Sequence, residues 1–317
     1  MNIVVLDAKA LNPGDLSWEP ITRLGQVEIY DNTSQDILAG RCKDADAIII
    51  NKTVISRQLL EKLPKLRYIG VTATGYNVVD TAAARQKGVI VTNVPSYSTD
   101  SVAQMTIALL LEMCGNVGHH SESVKSGDWC DCDSFCYWKK PLTELAGLRM
   151  GLIGFGHIGQ AVAKIACAFG MEIAVTGTSK TPADYPGILF LPLDELLSTS
   201  DVISLHCPLT NENAKMINRQ RLSMMKKNAM LINTSRGGLV DEQALADALN
   251  SGQIAGAAVD VLSTEPPQRD NPLLTAENCF ITPHIAWATR ASRIRLMDIV
   301  VKNIEAFING KPVNVVN

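Results

Sequence analysis

Three residues of complementary chemistry, Arg236, Glu265 and His284, each follow a short apolar run of the sequence. Those runs cover residues 229–234, 254–260 and 279–282. Each run predicts a parallel strand, and an open parallel sheet binds its ligands outside the carboxyl ends of its strands. A guanidinium can hold a carboxylate through paired hydrogen bonds, and an imidazole is the usual proton donor near neutrality. A neighbouring carboxylate favours the protonated form of the imidazole. Together, a carboxylate anchor and a proton donor are what hydride transfer to or from a small 2-oxo or 2-hydroxy acid requires, so the three residues predict a catalytic site for that reaction.

The chain has five histidines, and their positions separate the candidate acid from the other four. His119 and His120 follow the end of a predicted helix, and His157 lies in a glycine-rich turn as a phosphate-proximal or exposed side chain. His206 ends a predicted strand and is expected to pack near a cofactor. His284 alone follows a strand end within the turn Pro-His-Ile-Ala-Trp, so we expect it to be the general acid and base.

A glycine-rich turn lies between the predicted strand 150–153 and the predicted helix 158–169. Its spacing, G-x-G-x-x-G, is typical of dinucleotide sites when a strand precedes it and a helix follows. Gly154 permits the tight turn, Gly156 lets the backbone approach a pyrophosphate, and Gly159 lets the helix pack against the strand. The predicted contacts of this turn with the cofactor are Gly154, Gly156, His157, Ile158 and Gly159.

The tip of the next strand bears on the choice of cofactor. An acid about 20 residues beyond the glycine turn usually holds the adenosine ribose of NAD. Here the strand ends in Gly177, followed by Thr178, Ser179 and Lys180, and the one acid of the strand, Glu172, stands at its other end. Small hydroxyl residues and a lysine can accept a 2′-phosphate, so the sequence favours NADP over NAD as the cofactor.

Strand-like and helix-like segments alternate twice along the chain, which predicts an α/β protein with two doubly wound parallel-sheet domains. The predicted strands of the first alternation are 2–6, 27–30, 47–50, 68–71 and 89–92. The six predicted strands of the second are 150–153, 172–176, 201–205, 229–234, 256–260 and 280–282. A last helix over 291–309 is expected to pack on the first domain. We therefore expect a flavodoxin-like substrate domain over 1–97 plus 288–317, and a Rossmann dinucleotide-binding domain over 98–287.

The composition narrows the class of protein. The 317 residues carry a net charge of −3, which argues against a nucleic-acid partner. The chain begins with a predicted strand rather than a signal peptide, and its apolar runs are shorter than a membrane span needs. We therefore expect a cytoplasmic protein without a membrane partner.

Eight cysteines in such a chain predict free thiols rather than a disulfide framework. Three of them, Cys130, Cys132 and Cys136, are closely spaced, but their spacing matches no common zinc pattern. His119 and His120 could complete a site, although nothing in the spacing requires it. The sequence therefore favours an ordinary thiol-containing loop and predicts no metal site.

Several motifs together resemble those of the D-isomer-specific 2-hydroxyacid dehydrogenases, in an order and spacing that extend over nearly the whole chain. They occupy residues 151–159, 205–210, 232–242, 258–261 and 282–287. The resemblance implies that Arg236 binds the substrate, that Glu265 pairs with His284, and that Asp260 contacts the nicotinamide carboxamide. It also implies that the cofactor is lined by Pro208, Thr234, Ile285, Ala286 and Trp287.

The same resemblance extends to the first domain and to a connecting segment. Residues 71–76 are similar to the family loop whose backbone N–H groups hold the substrate carboxylate, with Thr74 and Gly75 as the donors. Residues 135–147 are most similar to glycerate dehydrogenases, also called hydroxypyruvate reductases. That likeness implies a homodimer in which Trp138 reaches the substrate pocket of the partner, with an interface aromatic that lacks substrate contact as the alternative.

Two alternative functions remain open at this point. One is a dehydrogenase for another D-2-hydroxy acid, such as D-lactate or 3-phosphoglycerate. The other is a non-enzymatic NAD(H)-sensing protein of the same fold. The likeness of residues 135–147 to glycerate dehydrogenases implies, in preference to both, reduction of hydroxypyruvate or glyoxylate to D-glycerate or glycolate.

Overall fold

The computed structural model describes residues 1–317 and divides them into two compact units. The first unit comprises residues 1–98 and 288–317, and the second comprises residues 99–287. Each unit is built around one parallel sheet, of five and seven strands respectively. The prediction of two doubly wound α/β domains is therefore confirmed.

The sheet of the first unit has the strand order β2-β1-β3-β4-β5, the order of flavodoxin-like folds. Its strands are β1 (Asn2–Val5), β2 (Gln26–Ile29), β3 (Ala47–Ile50), β4 (Tyr68–Val71) and β5 (Ile90–Thr92). Its helices are α1 (Ala8–Leu11), α2 (Glu19–Thr22), α3 (Gln35–Cys42), α4 (Arg57–Glu61), α5 (Thr81–Gln86) and the last helix of the chain, α12 (Arg290–Ile308).

The central strands of this first sheet are apolar on both faces. Every residue of β3 and β4 is buried, as expected for parallel strands covered by helices on both sides. The expectation that the last helix returns to the first domain is confirmed, because α12 contacts β4 and α2.

The sheet of the second unit has the strand order β12-β11-β10-β9-β6-β7-β8, and all its pairs are parallel. Its strands are β6 (Arg149–Ile153), β7 (Glu172–Thr176), β8 (Leu189–Phe190), β9 (Val202–Leu205), β10 (Met230–Asn233), β11 (Gly256–Val259) and β12 (Cys279–Ile281). Its α-helices are α6 (Thr99–Gly115), α7 (Val117–Lys125), α8 (His157–Ala168), α9 (Leu193–Thr199), α10 (Arg219–Met224) and α11 (Glu242–Asn250). Short 3₁₀ turns occupy Pro182–Asp184, Gly237–Leu239 and Pro272–Thr275.

Two apolar layers cover the seven-stranded sheet. Helices α9, α10 and α11 contribute side chains to one layer, and α6 and α8 contribute to the other. The strand order reverses between β6 and β9, so the carboxyl ends at this switch point are the expected place for a dinucleotide.

Two elements of the second unit were not predicted. Strand β8 has two residues at the sheet edge, too few for an alternation pattern to appear. Helix α7 contains His119 and His120, which the sequence placed outside any helix. No helix has both the length and the apolar character that crossing a bilayer requires.

Candidate active site

The candidate catalytic residues lie in the loops that follow β10, β11 and β12, three adjacent parallel strands. Arg236 follows β10, Glu265 follows β11 and His284 follows β12. Because the carboxyl ends of parallel strands meet at one edge of a sheet, the topology delivers all three side chains to the same edge.

The imidazole of His284 is paired with the carboxylate of Glu265. The Nδ1 atom of His284 donates to Oε2 of Glu265 over 2.6 Å, a short charge-assisted distance. The second carboxylate oxygen, Oε1, accepts from the backbone N–H of Leu262 at 3.1 Å. About a third of each side chain is exposed, 29% for His284 and 31% for Glu265. The pair therefore fixes the ring orientation and leaves Nε2 as the nitrogen available to a reacting group.

The backbone of His284 has an unusual conformation. Its φ is +54°, in the left-handed region that non-glycine residues seldom adopt. Its N–H donates to the carbonyl of Thr282 at 2.9 Å, which makes a tight turn after β12. Strained residues of this kind persist only where surrounding contacts hold them.

Those contacts come from Asp260, the residue that follows β11. Its Oδ1 atom accepts from the hydroxyl of Thr282 at 2.6 Å and from the N–H of Ile285 at 2.9 Å. Its Oδ2 atom accepts from the N–H of Ala286 at 2.8 Å. Burial raises the pKa of Asp260 above its ordinary value, while these three hydrogen bonds act in the opposite direction.

Arg236 is exposed, and it lies in a turn after β10 that the side chain of Asn233 stabilises by hydrogen bonds. The buried side chain of Asn233 donates to the carbonyl of Arg236 at 2.9 Å and accepts from the N–H of Ser235 at 3.0 Å. The next residue, Gly237, lies so close to Leu262 that a Cβ atom would overlap the backbone there. This approach joins the loop of Arg236 to the segment whose N–H binds Glu265.

The glycine turn joins β6 to α8, and two of its glycines make the close approaches to protein backbone that the spacing predicted. Gly154 has a φ of +97°, and a Cβ atom there would lie 2.6 Å from the backbone of His206. At Gly159 a Cβ atom would overlap the carbonyl of Gly154, so only glycine permits this packing of helix on turn. At Gly156 a Cβ atom would meet no protein atom within 4 Å, which leaves this position open to a ligand.

The amino terminus of α8 has no side-chain cap, because its N-cap residue is Gly156. His157 is the exposed first residue of this 12-residue helix, and Ile158 is half-buried beside it. Uncapped N–H groups at a helix start attract phosphate groups. The turn therefore fits the pyrophosphate of a dinucleotide.

The loop after β7 contains the residues predicted to contact the adenosine ribose. Gly177 has a φ of +64°, and Ser179 and Lys180 are exposed. The hydroxyl of Thr178 accepts from the N–H of Lys180 at 3.1 Å. Glu172, at the other end of β7, binds Arg149 at 3.0 Å, so its carboxylate is committed to that arginine.

Other predicted cofactor residues follow β9, β10 and β12. Pro208 is exposed after β9, and Ile285 is 40% exposed after β12. Thr234 and Ala286 are buried. The hydroxyl of Thr234 lies 3.0 Å from that of Thr106, and the carbonyl of Ala286 accepts from Ser101 at 2.7 Å. Trp287 is half-buried at the end of this unit.

His206, the other histidine close to a strand end, is unsuited to proton transfer near neutrality. Burial lowers the pKa of His206 to about 4, so this ring is neutral at physiological pH. Its Nε2 atom lies 2.9 Å from the hydroxyl of Ser204. Since a general acid must hold a proton near the working pH, His206 is unsuited to that task.

Thr74 and Gly75 lie in the first unit, in the loop that follows β4. The hydroxyl of Thr74 donates to the carbonyl of Val94 at 2.9 Å, and the carbonyl of Thr74 accepts from Asn93 at 2.7 Å. Two neighbouring backbone segments are thus joined, and the position of the loop is fixed within its unit.

Trp138 belongs to the segment between α7 and β6 in the second unit. Its side chain is 67% exposed, and that of Phe135 is 87% exposed. The residues on either side of Trp138 are anchored to α7, because Tyr137 bonds to Ser123 at 2.8 Å and the N–H of Lys139 donates to His120 at 3.1 Å.

All eight cysteines are free thiols, including Cys130, Cys132 and Cys136 in this same segment. No three histidine, cysteine, aspartate or glutamate side chains are grouped so that they could hold a metal ion.

A flavodoxin-type sheet, and a Rossmann sheet with arginine, glutamate and histidine at one edge, together define a nicotinamide-dependent dehydrogenase. A family model described as the NAD binding domain of D-isomer specific 2-hydroxyacid dehydrogenases matches residues 107–286. The chain belongs to this family, as its motifs predicted, and is an oxidoreductase that acts on CH–OH groups with a nicotinamide cofactor.

Relatives in this family match the chain over almost its full length. It is 51% identical to a hydroxypyruvate reductase of Blautia hydrogenotrophica, with 100% of both chains covered. It is 40% identical to a glycerate dehydrogenase of Methylorubrum extorquens, with 99% of this chain and 98% of that one covered. Among solved structures, an acyclic imino acid reductase in complex with NADPH and D-Arg matches with a TM-score of 0.87 and 32% identity, with 100% of both chains covered.

Proposed function

We propose that this protein is a D-2-hydroxyacid dehydrogenase that reduces hydroxypyruvate to D-glycerate, and glyoxylate to glycolate. The observation that carries the proposal is the 2.6 Å pair of His284 and Glu265 at a strand-end edge that also presents Arg236. Full-length similarity to a hydroxypyruvate reductase and to a glycerate dehydrogenase supports this choice of substrate.

His284 supplies the proton that the substrate carbonyl oxygen needs. Glu265 holds Nδ1, so the proton leaves from Nε2 when the 2-oxo acid is reduced and returns there when the hydroxy acid is oxidised. The same carboxylate stabilises the imidazolium between these events. The bound cofactor supplies or accepts the hydride.

Arg236 anchors the substrate through a paired interaction of its guanidinium with the carboxylate. This requires a planar, permanently charged group, which arginine provides and lysine does not. The bracing of its backbone by Asn233 limits the positions that the guanidinium can take. The backbone N–H groups of Thr74 and Gly75 in the first unit are the other proposed carboxylate ligands, as the family resemblance implies.

The residues of the second unit fit a dinucleotide. The open position at Gly156 and the uncapped start of α8 suit the pyrophosphate, with His157, Ile158 and the flanking Gly154 and Gly159 around it. The remaining proposed cofactor residues are Thr178, Ser179, Lys180, Pro208, Thr234, Asp260, Ile285, Ala286 and Trp287. Of these, Asp260 already has both carboxylate oxygens bonded to the protein itself.

NADP is the proposed cofactor in preference to NAD. The loop after β7 offers the hydroxyls of Thr178 and Ser179 and the exposed ammonium of Lys180, and no carboxylate follows directly on the strand. A 2′-phosphate would meet donors there rather than a like charge.

A homodimer is the proposed assembly, with Trp138 directed to the substrate pocket of the partner subunit. The exposure of Trp138 and Phe135 supports this, because large apolar patches on a surface mark interaction sites. The anchoring of Tyr137 and Lys139 to α7 holds Trp138 in this exposed position.

The proposed function is tested by a substrate panel. NADPH and NADH oxidation is measured with hydroxypyruvate, glyoxylate, pyruvate and 3-phosphohydroxypyruvate. We expect the highest kcat/KM with hydroxypyruvate and NADPH. Higher kcat/KM with pyruvate or 3-phosphohydroxypyruvate would assign the enzyme to another D-2-hydroxy acid, and cofactor binding without any turnover would indicate a nucleotide sensor.

A further inference from the structure

Two consecutive carbonyl groups of the loop after β4 are hydrogen-bonded to the segment that follows β5. The carbonyl of Ala73 accepts from the backbone N–H of Val94 at 3.0 Å. The carbonyl of Thr74 accepts from the side-chain amide of Asn93 at 2.7 Å. These bonds hold the two peptide groups whose N–H groups belong to Thr74 and Gly75, the proposed ligands of the substrate carboxylate.

The direction of these two N–H groups follows from the bonds of the carbonyls. In a planar trans peptide group the C=O and the N–H point in opposite directions. Because the carbonyls of Ala73 and Thr74 point toward the segment after β5, the N–H groups of Thr74 and Gly75 point away from it. Neither N–H donates to another group of the protein, and the hydroxyl of Thr74 is committed to the carbonyl of Val94 at 2.9 Å. Two free backbone donors are thus available to an anion.

Asn93 is itself fixed by two hydrogen bonds of its backbone. Its N–H donates to the carbonyl of Asn314 at 3.1 Å, and its carbonyl accepts from the side chain of Asn303 at 2.9 Å. Asn303 lies in α12 and is 1% exposed, and its Oδ1 atom accepts from Nδ2 of Asn314 at 2.8 Å. The amide that binds Thr74 therefore extends from a backbone whose position is set by α12 and by the segment 314–317.

We propose that Asn93 is a positioning residue that orients the N–H groups of Thr74 and Gly75 toward the carboxylate of the substrate. This inference rests on the proposed function, in which those two groups bind the carboxylate. Asn93 acts on the substrate through the carbonyl of Thr74, whose hydrogen bond sets the plane of the next peptide group. Asn303 and Asn314 contribute by holding the backbone of Asn93.

The first test substitutes Asn93→Ala, which removes the donor to Thr74 and keeps the backbone bonds of residue 93. The substrate carboxylate is held both before and during hydride transfer, so a loss of its donors should raise KM more than it lowers kcat. We expect KM for hydroxypyruvate to rise about tenfold, as for one hydrogen bond to a charged group, with kcat within about threefold. The Kd of NADPH should stay within about twofold, because the glycine turn lies in the other unit. An unchanged KM would overturn the proposal.

A comparison of two substrates separates an effect on the carboxylate from a general distortion of the pocket. Glyoxylate and hydroxypyruvate both have a carboxylate next to the reacting carbonyl, but glyoxylate lacks the hydroxymethyl group. If Asn93 positions the carboxylate donors, Asn93→Ala should lower kcat/KM for both substrates by factors that agree within about twofold. A loss confined to hydroxypyruvate would show that the variant alters another part of the site, and the proposal would be overturned.

Asn93→Asp keeps the size of the side chain and replaces the donor by an acceptor. At neutral pH the introduced carboxylate faces the carbonyl of Thr74, so KM should rise at least as much as in Asn93→Ala. In acid the protonated carboxyl group can donate to the same carbonyl. The KM of the variant divided by that of the wild type should therefore fall as the pH is lowered from about 8 to about 5. A ratio that stays constant would show that substrate binding does not depend on a donor to Thr74.

Asn314→Gly tests the contribution of the segment 314–317. Asn314 has a φ of +54°, which glycine adopts freely, so the variant removes the side-chain bond to Asn303 without backbone strain. We expect KM to rise about two- to threefold, less than in Asn93→Ala. Asn2→Ala is the matched control, because Asn2 also donates its side-chain amide to a backbone carbonyl, that of Asp44 at 3.3 Å, but lies at the start of β1. Its KM and kcat should equal those of the wild type.

Amide exchange gives a readout that is independent of turnover and distinguishes this inference from the proposed function. The buried N–H of Val94 is bonded to the carbonyl of Ala73, so it should exchange faster in Asn93→Ala than in the wild type if Asn93 holds the loop. Absence of wild-type turnover on the whole substrate panel would refute the proposed function, and the exchange measurement would still decide whether Asn93 holds the loop. Wild-type turnover with an unchanged KM in Asn93→Ala would refute the positioning role alone.

Discussion

The imidazole of His284 has its Nδ1–H committed to Glu265, so its proton exchange with a substrate must pass through Nε2. The other histidine close to a strand end, His206, is kept neutral by burial, which lowers its pKa to about 4. The structure therefore supports His284 over His206 as the proton donor for a reason, the lowered pKa of His206, that the sequence positions of the two residues could not provide.

Replacement of His284 tests the proton donor directly. His284→Ala should reduce kcat by roughly two to four orders of magnitude, the usual worth of a positioned general acid. The Kd of NADPH, measured by quenching of protein fluorescence, should stay close to that of the wild type because the glycine turn is untouched. The control is His119→Ala, in α7, which should leave turnover unchanged. Near-normal turnover in His284→Ala would rule out the assignment.

The pairing of His284 with Glu265 predicts a change in pH dependence. Glu265→Gln removes the charge that favours the imidazolium and keeps the side-chain size. Reduction needs the protonated ring, so its rate should decline at lower pH in the variant than in the wild type. The pH profile of kcat/KM for hydroxypyruvate measures this, and identical profiles would show that the two residues are not coupled.

The choice of cofactor depends on the tip of β7. Gly177→Asp should shift preference toward NADH by adding a hydroxyl acceptor and a charge that repels a 2′-phosphate. A Cβ atom has room at Gly177, although the φ of +64° makes the variant somewhat strained. Lys180→Ala should weaken NADPH and spare NADH. The ratio of kcat/KM for the two cofactors is measured in each variant, and a wild-type preference for NADH would refute the NADP proposal.

At the scale of elements, α12 is secured to the first unit by a buried arginine. Arg293 extends from α12 and makes two hydrogen bonds to the carboxylate of Asp15, at 2.6 and 2.7 Å. The Arg293 side chain is 10% exposed, and its Nε atom also donates to the carbonyl of Ala288. The hydrogen bonds from Arg293 hold the pKa of Asp15 below its ordinary value.

This pair predicts a pH-dependent stability of α12 on its unit. Asp15→Asn should lower Tm at neutral pH, because the buried guanidinium loses its partner. Since the folded-state pKa of Asp15 is lowered, the stabilisation is complete above the unfolded value of about 4 and is lost as pH falls through the folded value. The Tm difference between variant and wild type should therefore shrink in strong acid. Asp44→Asn, which breaks the exposed pair with Lys65, is the control and should change Tm little.

At the scale of the whole molecule, apolar side chains are exposed around a surface groove of the second unit. The groove, about 460 Å³ in volume, is lined in part by Leu111, Val117 and Phe169. These three side chains are 38%, 67% and 41% exposed, values that leave considerable apolar surface in contact with water. A second copy of the chain is the occupant that the proposed homodimer supplies.

A charge placed in this groove should disrupt the homodimer. Val117→Glu should convert the protein from twice the chain mass to the chain mass, because a buried unpaired charge opposes association. Light scattering coupled to size-exclusion chromatography measures the mass. Val54→Glu is the matched control, since Val54 is a 51% exposed valine of the first unit outside the groove. A wild-type protein that elutes at the chain mass would contradict the proposed assembly.

The sequence by itself determined the fold class, the strand ends and the residues expected at them. Buried parallel strands such as β3 and β10 are continuous apolar runs, and the glycine turn has a fixed spacing, so both are visible in short stretches of sequence. The loop that follows each strand is then placed by topology alone, which is why Arg236, Glu265 and His284 could be predicted to lie at one edge of the sheet. Strand β8 and helix α7 were missed because neither has a distinct local pattern.

The tertiary structure alone decided how those residues are held. The bonds of Asp260 to Ile285 and Ala286 and the approach of Gly237 to Leu262 join segments distant in sequence. The desolvation that lowers the pKa of His206 likewise depends on which segments surround its ring. A local pattern specifies which face of a strand or helix is apolar, but hydrogen bonds and desolvation depend on which segments meet in space. Short stretches of sequence therefore specify which side chains the site contains, whereas the packing of distant segments determines the distances and hydrogen bonds between them.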